Sequence, residues 1–198
     1  MHKGYAWLRM IGRDTRGTSA IEFGLVAPLL LLILLGLVEL GRAINTDRHF
    51  TSATNTAGDL VAREAQLGDS SSTAKSNLDS MMLSIKHVME PYDPTTLKLA
   101  IFSVKASATD TAKGTVEWSY GFNGGNAPAQ CSDYALPADM IPKGGSVIIV
   151  DAKYQFKSLF GSYVPGFSPT MDWSEKSYHS PRNSCVDYVK GDNCISKC

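Results

Sequence analysis

From Phe23 to Val38 the sequence runs for 16 residues without a charged side chain, and no other feature limits the fold as strongly. As a helix this run rises about 24 Å, somewhat less than a bilayer hydrocarbon core of ~30 Å. Adding Ala20, Ile21, Leu40 and Gly41 supplies the missing length if Glu22 and Glu39 lie near the two interfaces, where a carboxylate costs far less than at the midplane. A single transmembrane helix over 18–42 is therefore expected.

The flanking charges give it a direction. Lys3, Arg9, Arg13 and Arg16 precede the run against only Asp14, whereas Arg42 and Arg48 beyond it are matched by Asp47 and Asp59. Positive charge is retained on the cytoplasmic side, so the amino terminus is expected in the cytoplasm and the remainder of the chain outside. All four cysteines, Cys131, Cys185, Cys194 and Cys198, follow the run, and their even number suits two disulfides in an oxidising space, with three connectivities open. A metal site is the rival reading. The single CxxxC from Cys194 to Cys198, without CxxC pairs or a histidine at zinc-finger spacing, supports it poorly, and no metal or other cofactor is expected.

The 198 residues suit one ordinary domain plus an anchor. Lys+Arg and Asp+Glu balance at 19 each, and from Ala43 onward they number 14 and 16, a nearly neutral remainder without the basic face that nucleic acid requires. No nucleic-acid partner is expected.

Three readings of the apolar run compete. One is a plain, uncleaved signal anchor. Another is a secretory signal peptide, whose apolar region spans about 7–15 residues before a small-residue cleavage site. The run here is longer, and Gly41-Arg42-Ala43 is a poor site. The third is a prepilin-type signal. Arg16-Gly17-Thr18-Ser19-Ala20-Ile21-Glu22-Phe23 resembles the prepilin peptidase motif of the Flp/Tad pilin class, a glycine followed by four residues, a glutamate and an aromatic. The resemblance implies a cut after Gly17 that leaves Thr18 as the new amino terminus.

Glycine at a cleavage position allows close approach of the backbone to a protease. Glu22 then lies in the first turns of the mature helix, where the helix dipole favours negative charge. By the same resemblance, its carboxylate pairs with the freed amine of a neighbouring subunit. Either charge alone is costly in lipid, so the pair favours one stagger between helices.

Four blocks, "AIEFGLVAPLLLLILLGLVELGRA", "DRHFTSATNTAGDLVARE", "SVIIVDAKYQFKSLFG" and "SEKSYHSPR", resemble successive parts of TadE-like pilus-assembly proteins, the pseudopilin-like family of Tad (tight adherence) secretion systems. The likeness extends from Arg16 to Arg182 and is weaker in the Cys-bearing tail and the Gly/Asn-rich loop. It implies a single-pass protein of the bacterial inner membrane with a periplasmic carboxy-terminal domain, processed by a prepilin peptidase. The other partners implied are further Tad pilus subunits, inner-membrane platform proteins and the lipid bilayer itself.

Beyond Arg42, Ile44, Phe50, Ala53, Ala57, Leu60 and Leu67 keep one apolar stripe, predicting a single long helix from about Thr18 to Gln66 with Gly68 as its C-cap. Ser and Asp in 69–73 offer N-caps for a second helix, in which Leu78, Met82, Ile85 and Met89 recur at helical spacing until Pro91 ends it. The methionines Met81, Met82 and Met89 read as core filling. From Leu97 the period becomes two. Ala100, Phe102 and Val104 share one face, Val116, Trp118 and Tyr120 alternate in the next strand, and a turn around Thr109 to Gly114 joins them. "SVIIVDAKYQF" is a third strand, apolar enough in its first half to lie inside the sheet, and a fourth is expected from about Thr170 to Ser177.

The intervening loop, 123–145, is too long for a plain hairpin and is expected on the surface, either as a partner-binding excursion or as one stapled through Cys131. The aromatic stretch Tyr154, Phe156, Phe160, Tyr163 and Phe167 reads as core cover rather than an adhesive patch. No Gly-x-Ser-x-Gly, His-Glu-x-x-His or phosphate-loop motif is present, and His49, His87 and His179 are dispersed, so an enzyme is not expected. The expected architecture is α+β and pilin-like: a basic leader over 1–17, a transmembrane helix over 18–42, and an α+β domain over 43–198 with a second helix and about four antiparallel strands. An uncleaved anchor presenting a disulfide-stapled binding domain to an envelope partner is the alternative.

Overall fold

The computed structural model describes residues 17–163, 168–192 and 198. The leader from 1 to 16, Cys194, Phe167 and the side chain of Tyr163 lie outside the described residues. The chain divides into two units, Met1–Arg42 and Ala43–Cys198.

Helix α1, Thr18–Arg63, contributes to both units. In the second unit it buries Thr46, Phe50, Ala53, Thr54, Ala57, Gly58, Val61 and Ala62, steps of three and four that place small residues where the sheet approaches. A Cβ on Gly58 would collide with the imidazole of His179, so glycine is required for that approach. Of the expected stripe, Ile44 is exposed and Leu60 only half-buried.

The helix stops at Arg63, three residues earlier than its pattern predicts, because a later segment takes over its final backbone groups. The Arg182 N–H donates to Ala62 O (2.8 Å), Asp187 N–H to Ala65 O (3.1 Å), and Leu67 N–H to Asp187 O (2.8 Å). Gly68 is accordingly not a left-handed cap; it is the point where the start of the next helix presses on the chain, leaving no room for a Cβ. Helix α2, Ser71–Val88, begins at the N-cap Ser70, whose hydroxyl accepts from Thr73 N–H. Leu78, Met82, Ile85 and the C-cap Met89 are fully buried, as their spacing predicts.

Five antiparallel strands follow: β1 Lys98–Ala106, β2 Lys113–Phe122, β3 Asp133–Ala135, β4 Ser146–Lys157 and β5 Thr170–His179, in the order β3-β2-β1-β4-β5. The expected four are present, and the three-residue β3 adds one inside the stretch read as loop. It is too short to show a period.

The sheet separates two cores. One face packs Leu99, Ile101, Trp118, Tyr120, Ile148, Val150, Tyr154 and Phe156 against the helices; the other joins Phe102, Val104, Val116, Val147 and Ile149 to Leu136 and Ile141. The loop is therefore not a free excursion. It folds back over the second face, where the Leu136 N–H also donates to Ala112 O. Cys131 bonds Cys198 with a Cα–Cα distance of 5.2 Å, fixing the loop to the tail, and Cys185 is also disulfide-bonded.

Val116 and Trp118 fall in different cores because the register shifts between Ser103↔Trp118 and Val104↔Val116, leaving Glu117 as the extra residue of a β-bulge. Simple alternation predicts a shared face, and the bulge corrects it. Tyr154 and Phe156 are buried and Trp173 stacks on Phe156 at 5.0 Å, so these aromatics cover the core as expected; Phe160 is half-buried.

Candidate processing and assembly site

The residues singled out in the sequence, Gly17, Thr18, Glu22 and Phe23, lie together at the start of α1 in the first unit. A Cβ on Gly17 would meet nothing within 4 Å, so the packing of the described residues gives no reason for glycine at this position. Glu22 is exposed and forms no ion pair among the described residues. Phe23 beside it is 69% exposed.

From Ile21 to Leu40 the apolar residues are similarly uncovered, with Leu25 at 76%, Leu32 at 64% and Leu35 at 41%. Among the described residues nothing covers this apolar surface, which runs continuously around the helix, as suits a helix set in lipid or against another protein. Among the described residues this is one helix long and apolar enough to cross a membrane. Pro28 lies inside it, where the missing N–H frees the carbonyl of Gly24 from its intrahelical bond.

Glu39 at the other end differs from Glu22. Its side chain is only 18% exposed and its carboxylate lies 3.4 Å from the Arg42 guanidinium one turn on. A glutamate and arginine paired at i,i+3 suit an interfacial position, where the ion pair reduces the cost of each charge. Among the described residues Glu22 has no such counter-charge.

In the second unit, ionisable groups are engaged structurally. The Tyr120 hydroxyl donates to Asp79, joining β2 to α2, and burial together with that carboxylate raises the phenol's pKa. His179, wedged against Gly58 and 3.8 Å from Asp59, is pushed below the ordinary imidazole value by burial, which the aspartate partly opposes. Glu117 accepts from the Ser103 hydroxyl at 3.2 Å, with Lys105 4.0 Å away, and burial raises its pKa against both. It borders a cleft of about 340 Å³ together with Trp118, Asp187, Tyr188 and Asp192. The described residues contain no group of three or more His, Cys, Asp or Glu placed to hold a metal ion. The sequence signal for this bulge, a lone glutamate between Val116 and Trp118 in an alternating strand, is legible only after the register is known.

One membrane-capable helix among the described residues and a disulfide-bonded α+β domain on the same chain are consistent with the class of single-pass membrane proteins that carry a folded carboxy-terminal domain. Within that class, residues 17–59 match the family model described as TadE-like protein. The match starts at Gly17 and takes in Glu22, Phe23, the whole apolar run and the buried stripe of α1 as far as Asp59. The chain thus carries a TadE-like segment where its sequence resembles that family, and this segment and the long helix fit a Tad pilus-associated membrane subunit. Searches of curated proteins and of solved structures returned no match.

Proposed function

We propose that the protein is a pseudopilin-like subunit that takes part in building or priming a Tad/Flp-type pilus and is not an enzyme. On this reading a prepilin peptidase cuts after Gly17 and the basic leader is lost. The helix then holds the mature chain in the bacterial inner membrane, with its amino-terminal side cytoplasmic and its α+β domain periplasmic. Other Tad pilus subunits and inner-membrane platform proteins are its partners.

The observation that carries this reading is the coincidence at the start of α1. A family match begins at Gly17, and among the described residues nothing packs at that glycine, while the glutamate five residues on has no ion pair and the apolar helix carrying it has no cover. A carboxylate in lipid needs a partner, and the freed amine of a neighbouring Thr18 supplies one of opposite sign.

Two substitutions separate processing from assembly. With Gly17→Ala the chain should accumulate uncut, read as the slower-migrating form on a gel. With Glu22→Ala it should be cut normally while pilus assembly fails, read by microscopy of cells carrying the variant as sole copy. Normal pili from Glu22→Ala would remove the registry role; normal cutting of Gly17→Ala together with Gly17→Trp would remove the processing role.

A further inference from the structure

The two edges of the sheet are built differently. On one side β3 is three residues long, and the adjoining part of β2 is closed by the loop: Val116 N–H donates to Ser132 O at 3.0 Å, and Cys131 N–H donates to Val116 O at 2.8 Å. The Cys131–Cys198 disulfide holds the loop there. On the other side β5 extends for ten residues and pairs with β4 from Ile148↔His179 to Lys157↔Thr170 without a register shift. Among the described residues no strand lies beyond it.

A regular strand at a sheet edge presents a row of N–H and C=O groups that a further strand can bond. Proteins ordinarily blunt such an edge by shortness, proline or a bulge. The edge at β3 is short and stapled, whereas β5 is long, unbulged and free of proline, its one blunting feature being the charges of Asp172, Glu175 and Lys176, and it exposes Met171 and Tyr178. Its charges do not simply repel another strand; their order makes the strand complementary to itself.

We infer that β5 is the contact through which two copies of this chain pair, edge to edge and antiparallel, about a two-fold axis at Ser174. In such a pair, residues equally distant from the axis stand opposite one another and on the same face, as in any isologous contact. Centring on Ser174 sets Asp172 of each copy opposite Lys176 of the other. Centring on Asp172, Glu175 or Lys176 sets a charge against itself, and centring on Trp173 leaves Asp172 opposite Ser174 and Lys176 opposite Thr170. Opposite charges facing across strands stabilise the pairing and like charges oppose it.

The neighbouring strands extend the pattern. Lys176 lies 3.7 Å from Asp151 on β4, and Asp172 accepts from the Gln155 side chain at 3.0 Å. The joined sheets therefore carry two related rows, each running Asp151, Lys176, then Asp172 and Gln155 of the second copy, with alternating polarity across the junction.

Cysteine cross-linking of the full chain in native membranes tests this. Ser174→Cys should give a disulfide-linked species of twice the chain mass on mild oxidation, because the two introduced thiols face each other on the axis. Lys153→Cys, one strand inward on the same face, should give little. In the Ser174→Cys background, Asp172→Lys should lower the linked fraction about fivefold, and adding Lys176→Asp should restore it. A Ser174→Cys yield no greater than that of Lys153→Cys overturns the contact. An adduct of any other mass overturns the second copy as its occupant, and an unchanged yield with Asp172→Lys overturns the register.

Discussion

Leu31 and Leu32, in the first half of α1, are 58% and 64% exposed, whereas Phe50 and Val61, in its second half, are 1% and 0% exposed. One helix thus carries apolar residues toward two ends. In the second half they fall on a stripe, so one face can be covered by the sheet and α2 while Asp47, Arg48 and Asn55 remain in water. In the first half they surround the helix, and no single packed face could cover them. Among the described residues nothing covers them, which suits lipid or a neighbouring helix, whereas the second half is packed within its own unit.

Substitutions that treat the halves alike should produce unlike results. The largest effect is expected in the packed unit: Leu78→Ala, which removes a fully buried side chain of α2, should cost about 2–5 kcal/mol of stability. Thermal melting of the full chain in detergent reads this, and Leu32→Ala in the same assay should leave the midpoint unmoved. A matching loss from Leu32→Ala would show that the first half is packed after all.

Leu32→Arg inverts the comparison. A charge at mid-helix costs about 2.5–3.5 kcal/mol in membrane insertion, so a large fraction of this variant should appear in the alkaline-extracted supernatant while the melting of its domain stays unchanged. Retention in the membrane pellet at the level of the parent chain would argue against a spanning role.

The smallest effect concerns Glu117. Burial raises its carboxyl pKa in the folded chain, so the folded state holds its proton more tightly than the unfolded state. The resulting stability is present below the unfolded carboxyl value and is lost as pH rises through the folded one. Glu117→Gln, which keeps an acceptor for Ser103 and cannot ionise, should flatten that decline and raise the melting midpoint modestly at neutral pH. A steeper decline in the variant would show that the Lys105 pair outweighs burial.

Much of this was legible in the chain because it rests on local periodicity. The apolar run has no period and so declares itself as uncovered; Leu78, Met82, Ile85 and Met89 declare a buried helical face; β1, β2, β4 and β5 follow from alternation. What remained hidden depends on contacts far apart in sequence. The end of α1 is set by residues 182–187 rather than by Gly68, the bulge at Glu117 by its pairing with β1, and the place of the loop by the uncovered face of β1 and β4. The pairing of Cys131 with Cys198 is of the same kind. At the candidate site, Gly17 and Glu22 were legible through their resemblance to a motif, and the structure adds that among the described residues nothing packs at the glycine and no ion pair engages the glutamate.

The most direct test of the proposed processing at Gly17 is the amino-terminal sequence and intact mass of the protein extracted from membranes of cells with and without the prepilin peptidase. A chain starting at Thr18 is expected when the peptidase is present, and one starting at Met1 when it is absent. A Met1 start in both, in cells that still assemble the pilus, would contradict that processing.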